Sequence, residues 1–322
     1  MSKRILLKLL AISALGSTMA LPLAARADTP LKILVGFPPG GSADTIARIV
    51  ADGMKDDFSA IVVENRPGAA GRIALTALKN SPPDGHTVII LPNGPMVLFP
   101  HLYKSLPYDP TRDFTPISEL ARFQFGVVSG PAADAGSIAE LVAKAKADPD
   151  SATYGSAGTG TVPHLLGTMF AKAAGIQMRH IPFQGSAPAN TALLGGHIRY
   201  KFDVVAETAE LHRTGKVRIL AVTGPKRDPQ VPDVPTLREA GVDMQATAWF
   251  AMYAPAGLPE AVRQRLETAV NAALQRSATR DKLVKLGFEP VGEGSAALAA
   301  QQKADLELWG RTIKDAGIPA LD

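Results

Sequence analysis

The chain has no cysteine, which excludes disulfides, a thiolate-held metal and a lipid-anchored amino-terminal cysteine. After residue 23 it also lacks any apolar run approaching the ~18 residues that a membrane span needs. Net charge of one sign is missing once the first 27 residues are set aside. The whole chain carries 34 Lys+Arg against 30 Asp+Glu, but Lys3, Arg4, Lys8 and Arg26 all precede residue 28, where there is no acid. Taking those four away leaves 30 against 30, so the sequence pI near 9.2 is no argument for nucleic acid or an anionic membrane. There is no repeat period and no low-complexity segment.

Signatures of catalysis are missing as well. Ser156 lies in Gly155-Ser156-Ala157-Gly158, which is not the G-x-S-x-G nucleophile elbow. The six histidines, at 86, 101, 164, 180, 197 and 212, form no H-E-x-x-H pair and no zinc set. Gly158-Thr159-Gly160 lacks the third glycine of a dinucleotide loop, and no P-loop lysine follows a glycine turn. No cofactor, no metal and no catalytic residue is expected. An exported hydrolase is the lesser alternative, separable by turnover as against stoichiometric binding.

What is present begins with a leader. A basic start, an almost wholly apolar stretch over 9–23 and the small-x-small site Ala25-Arg26-Ala27 read as a secretory signal peptide, residues 1–27. The mature protein is expected in the periplasm. Removing 27 of 322 residues leaves 295, ample for a large core and more than one lobe.

The rest is organised around three strand–loop–helix junctions. In the first, the apolar run 31–35 delivers Gly36-Phe37-Pro38-Pro39-Gly40-Gly41 to a helix with Ala43, Ile46, Ala47, Val50 and Met54 at helical spacing and Ser42 as N-cap. Such a junction points unpaired backbone N–H groups and a positive helix end at one spot, which suits a carboxylate or phosphate. Ser156 to Thr161 repeats the arrangement before a helix with Leu165, Leu166, Met169 and Phe170, and Gln184-Gly185-Ser186 does so before 187–194. Strands alternating with helices predict a parallel sheet. The expected fold class is α/β: two lobes, each with its own sheet, and a ligand cleft between them. Residues 28–126 and 249–322 form the first lobe and 127–248 the second. Separate strands are predicted over 117–121 and 125–129, a short helix over 236–240, and an alternating strand over 197–205 that puts Arg199 and Lys201 on a solvated face, with an extension of the site toward a second carboxylate as the lesser alternative.

Several blocks together resemble one family. They are Phe37-Pro38-Pro39-Gly40-Gly41-Ser42-Ala43-Asp44 with Arg48, Val63-Glu64-Asn65-Arg66-Pro67-Gly68-Ala69, and Pro83-Asp84-Gly85-His86-Thr87. Tyr154-Gly155-Ser156-Ala157-Gly158 with His164, Gln184-Gly185-Ser186-Ala187-Pro188-Ala189, and Val231-Pro232-Asp233-Val234-Pro235-Thr236 follow in the same order. From about Leu31 to Trp309 the chain is similar to the Bug family, the TctC-type solute-binding proteins of tripartite tricarboxylate transporters. The resemblance implies a type II periplasmic-binding-protein fold, no enzyme activity, a small carboxylate ligand (a di- or tricarboxylate, an amino acid or an aromatic acid) and membrane permease subunits as partners. A monomer is expected, with a sensor kinase as an alternative partner using the same cleft.

Residue by residue, the resemblance places Phe37, Pro39, Gly40, Gly41 and Asp44 in the first-lobe anion loop. Ser156, Gly158, Thr159, Gly160, Thr161 and His164 fall in the second-lobe loop, Gln184, Gly185, Ser186 and Ala187 along the second-lobe wall, and Asp203 after a Phe where an acid is frequent. His86, Gln184, Arg72, Arg199 and Lys201 depart from the family pattern and leave ligand identity open. Asp44 reads either as a contact for a ligand amine or hydroxyl or as a helix cap. Asp203 reads as a cleft residue or a solvated strand end, and Trp249 and Phe250 as interdomain core or a stacking surface.

Overall fold

The structure, a computed structural model, describes residues 29–316 and 318–322, so the expected signal peptide lies outside the described residues. Chain order begins with β1 (Leu31–Val35), α1 (Ser42–Gly53), β2 (Ile61–Asn65), α2 (Arg72–Lys79), β3 (Thr87–Pro92), α3 (Gly94–Val97) and α4 (Phe99–Leu102). β1 is apolar in sequence because helices cover both of its faces, and Leu31, Ile33, Leu34 and Val35 are all buried. It pairs in parallel with β2 (Ile33 opposite Val63) and with β3 (Ile33 opposite Val88). α1 turns Ile46, Ala47 and Val50 onto this sheet, the stripe that its spacing predicts.

The second half of the chain's framework starts with β4 (Phe114–Ser129) and continues through α5 (Ile138–Ala147), β5 (Thr153–Ser156), α6 (Val162–Ala173), β6 (Arg179–Pro182), α7 (Ser186–Leu194), β7 (Tyr200–Val204), α8 (Val205–Arg213) and β8 (Arg218–Val222). β9 (Thr247–Pro255), α9 (Glu260–Gln275), α10 (Ser277–Lys285), β10 (Glu289–Pro290) and α11 (Ser295–Ala316) complete it. β4 is the spine. Its first part pairs antiparallel with β9, which continues to β3, β1 and β2; its last five residues pair with β7, which continues in parallel to β5 and β6. β8 lies on the other side of that second part, and α11 returns to pack on β4 and α3. Each lobe therefore has its own fan of strands, and β4 is shared by both.

Three local expectations change. The two strands predicted over 117–121 and 125–129 are one 16-residue strand. The gap left at Arg122, Phe123 and Gln124 is closed by their pairing with Trp249, Ala248 and Thr247 of β9, and register shifts between Pro116 and Ser118 and between Glu119 and Ala121 bend the strand. The sheet is mixed, with β4 and β9 antiparallel to the parallel sets. Residues 236–240 form a turn tied to β8 by a Val222–Thr236 bridge, without a helix.

The loop after β1 lies directly against the one after β2. A Cβ on Gly36 would fall 2.7 Å from the Gly71 backbone, so only glycine lets these two turns abut. Among the described residues no helix is long and apolar enough to cross a membrane.

Candidate ligand-binding cleft

α1, α6 and α7 each start just beyond the C-terminal end of a strand, and their first turns line one cavity between the lobes. First-turn N–H groups have no partner within their own helix, so three positive helix ends bear on one space. The cavity is partly open to solvent. Its walls are apolar: Phe37, Phe123, Phe125 and Phe250, with Pro95 and Val162. Phe123 and Phe250 stack with centroids 4.7 Å apart where β4 meets β9.

The lobes touch across the cavity. Tyr103 donates its hydroxyl to Thr159 O at 3.1 Å, and a Cβ on Gly185, at φ +121°, would stand 3.0 Å from Pro38. Glu207, on the first turn of α8, accepts the Ser42 N–H at 2.8 Å with Oε1. The first turn of α1 is thus already served by a carboxylate of the chain itself. Burial, then the neighbouring Asp203 charge, push the Glu207 carboxyl above the usual range, against the pull of Lys201 and of its hydrogen bonds.

Phe37, Gly41 and Thr161 line the cavity, as do Gly185, Ser186, Ala187 and Asp203. Gly40 faces an outer groove that also touches Ala187 and Glu207, and Pro39 and Gln184 are exposed beside the cavity without lining it. Asp44 does not line it either. Its carboxylate accepts from Gly40 N–H, Asn65 Nδ2 and Arg48, each at 3.0 Å, and stiffens the first loop from behind. Burial opposes ionisation there, but the hydrogen bonds from Arg48, Gly40 and Asn65 prevail and hold the carboxyl below its ordinary range. The helix cap is Gly41 and not Ser42; the Ser42 hydroxyl, 95% buried, has no hydrogen-bond partner among the described residues.

Ser156, Gly158, Thr159, Gly160 and His164 build the second loop from inside. Gly158 O accepts from Ser156 Oγ at 3.0 Å and from Thr161 Oγ1 at 2.7 Å, Gly160 N–H donates to His164 Nδ1 at 3.1 Å, and Thr159 O takes the Tyr103 hydroxyl. Burial depresses His164 to about 4, and burial with the His164 charge takes His180 to about 3.

Lys201 is a correction. It is 0% exposed, not on a solvated face, and its ammonium reaches Ser186 Oγ and Asn190 Oδ1 at 2.7 Å and the Asp203 carboxylate. Strand alternation misled here, because β7 is covered on both faces: Tyr200, Lys201, Phe202, Asp203 and Val204 are all buried. Asp203 is likewise 1% exposed and accepts from Ser186 Oγ. Glu207 is the cavity-lining carboxylate that sequence reasoning missed; its one signal is its position four residues after Asp203 at a strand–helix junction. Trp249 points away from the cavity and donates Nε1–H to Asp305 Oδ2 at 2.6 Å, whereas Phe250 lines it. Among the described residues no cluster of three metal-ligating side chains occurs.

Comparison with known proteins places this geometry. The family model described as the tripartite tricarboxylate transporter family receptor, TctC, matches residues 46–318. BugT of Bordetella pertussis is 31% identical over 291 residues, 89% of each chain. The structure of the periplasmic binding protein BugD superposes with a TM-score of 0.86 at 32% identity, covering 91% of this chain and 99% of that one. An R. palustris protein with adipate gives 0.87 at 31% identity (91% and 98% covered), and MatC of Rhodopseudomonas palustris with bound malate gives 0.84 at 30% (88% and 98%). The strand order and the likeness to these structures are those of the type II periplasmic-binding-protein fold, with two α/β lobes and a cleft between them.

Proposed function

The chain belongs to the tripartite tricarboxylate transporter receptor family, TctC, and from that premise we propose that it is a periplasmic solute receptor which captures a small carboxylate in the interlobe cleft and delivers it to the permease subunits of such a transporter. The lobes divide at 126 and 248, and the protein acts as a monomer without catalysis. One observation carries the reading: three helix N-termini open onto a single apolar cavity between two lobes. A carboxylate gains there from charge-assisted hydrogen bonds of about 1.5–3 kcal/mol each, so a few of them match the roughly −8 kcal/mol of micromolar binding after ordering costs.

The three ends are not equivalent. α1 meets Glu207, and the Ser186 hydroxyl that opens α7 is held by Asp203. The ligand carboxylate is therefore assigned to the α6 end, beside Thr161 and Val162. Adipate and malate, held by two of the similar structures, begin the test panel, with citrate, hexanoate and leucine. A ligand at 100 times its Kd stabilises the protein by about 2.7 kcal/mol, a shift of several degrees. No thermal shift and no titration heat with any acid would end the reading.

A further inference from the structure

Among the described residues, the cavity of this carboxylate receptor is lined by no lysine, arginine or histidine, and its charged liners are Asp203 and Glu207. The nearest cation, Lys201, stands behind Asp203 and is spent on that carboxylate, Ser186 and Asn190. Two carboxylates thus face the ligand space with one ammonium behind them. Bringing an anion alone into that space adds a third negative charge to a poorly solvated site, and uncompensated buried charge is expensive.

A ligand with a cationic nitrogen reverses the balance. It supplies the missing positive charge and N–H donors for acceptor atoms already in place. Glu207 is held at one oxygen by Ser42 N–H, with the Ser42 and Ser186 hydroxyls beside its carboxylate. Gly41 leaves that corner open, since a Cβ there would come no nearer than 3.8 Å to Glu207 Oε1. The opposite corner, at Thr161 and Val162, has a helix N-terminus and no acid. Between the corners lie the phenylalanines.

We infer that the cleft selects an amino-acid-like ligand, with a carboxylate and a protonated amine on one apolar body, and that Glu207 is the residue which selects the amine. This rests on the carboxylate-receptor reading above and narrows it. A purely positional Glu207, pinning α8 to α1, would leave ligand preference untouched when its charge is removed.

The test uses isosteric pairs that differ only in the amine: leucine with 4-methylpentanoate, phenylalanine with 3-phenylpropanoate, and 6-aminohexanoate with hexanoate. Each is titrated calorimetrically into wild type and into Glu207→Gln, which keeps an acceptor for Ser42 N–H. In at least one pair the amine-bearing member should bind wild type tenfold or more tightly, and Glu207→Gln should erase that preference while binding the amine-free partner at least as tightly as wild type does. Equal or tighter binding of the amine-free members in every pair overturns the inference alone, as does an unchanged preference in Glu207→Gln. So does binding of adipate or malate with silence from all three pairs. Silence from every acid, the panel included, removes the receptor reading itself.

Discussion

The Ser156 hydroxyl lies 2.7 Å from His180 Nε2 in the second lobe, with Ser156 0% exposed and His180 half-buried. A hydroxyl has a single proton. With Gly158 O as its acceptor at 3.0 Å, the imidazole must carry its own hydrogen toward Oγ. That polarity is opposite to the one a base needs to activate a serine. His164 lies on the other face of His180, ring centroids 4.0 Å apart. Two stacked neutral rings and a hydroxyl brace the second loop, and the same atoms that resemble a catalytic dyad fix the position of the α6 N-terminus.

The brace predicts a pH dependence of stability. Both histidines titrate near 6.5 when unfolded but at about 4 (His164) and about 3 (His180) when folded. Between about pH 4 and 6.5 the unfolded chain binds more protons, so stability is full above 6.5 and falls as pH drops toward the folded values. From pH 7 to 5.5 the loss should be about 1 kcal/mol per histidine. Urea midpoints at the two pH values measure it, and His180→Gln should remove about 1 kcal/mol of the difference, with His164 and the likewise depressed His212 still contributing; a His180→Gln difference equal to that of wild type would refute the brace.

A second prediction concerns Lys201. With its ammonium 0% exposed and bonded to Asp203, Ser186 and Asn190, Lys201→Met leaves a buried carboxylate without its cation. Breaking one side of such a pair costs about 3–5 kcal/mol, whereas replacing both partners by apolar groups is close to neutral. Chemical denaturation should therefore find Lys201→Met strongly destabilised and Lys201→Met with Asp203→Leu substantially recovered. A single variant as stable as wild type would show the ammonium to be dispensable.

These cases show where the sequence could be read and where it could not. The junctions at 36–42, 156–162 and 184–186 were legible because glycine turns between an apolar run and a helical stripe leave few alternatives. Blocks of residue type in fixed order did the same for the family. What stayed hidden depends on which face is covered: alternation along β7 assumed one solvated side, and the buried Lys201–Asp203 pair contradicts it. Glu207 was invisible for another reason. Its importance comes from Ser42, 165 residues away in sequence, and no local pattern records a contact between lobes. Arg122-Phe123-Gln124 likewise read as a break in a strand whose continuity comes from pairing with β9.

The approach of Gly185 to Pro38 separates closure from folding. At φ +121° and ψ 174° the backbone lies in a region nearly confined to glycine, so any side chain is strained by about 1–3 kcal/mol, and an added Cβ would press on Pro38 at 3.0 Å across the cleft. Gly175, at φ +62° with nothing within 4 Å, is the control for backbone strain alone. Gly185→Ala and Gly175→Ala should both lower the melting temperature. Only Gly185→Ala should enlarge the radius of gyration in solution scattering and weaken ligand binding. A wild-type envelope for Gly185→Ala would mean that the lobes do not close along this contact.

The Tyr103 hydroxyl offers the mildest test of the same motion. Its bond to Thr159 O runs from first lobe to second, while the Arg72 guanidinium stays 4.0 Å from the ring centre and does not need the hydroxyl. Tyr103→Phe removes one interlobe hydrogen bond, worth about 0.5–1.5 kcal/mol, and leaves both lobe cores intact. Because the bond joins the two lobes, its loss should lower the closed population, and apparent affinity falls with that population. The expected result is roughly 2- to 10-fold weaker binding with nearly unchanged urea stability. Equal loss of stability and affinity would instead assign the hydroxyl to the folding of the loop at Thr159, and unchanged affinity would place ligand capture outside the closed cleft.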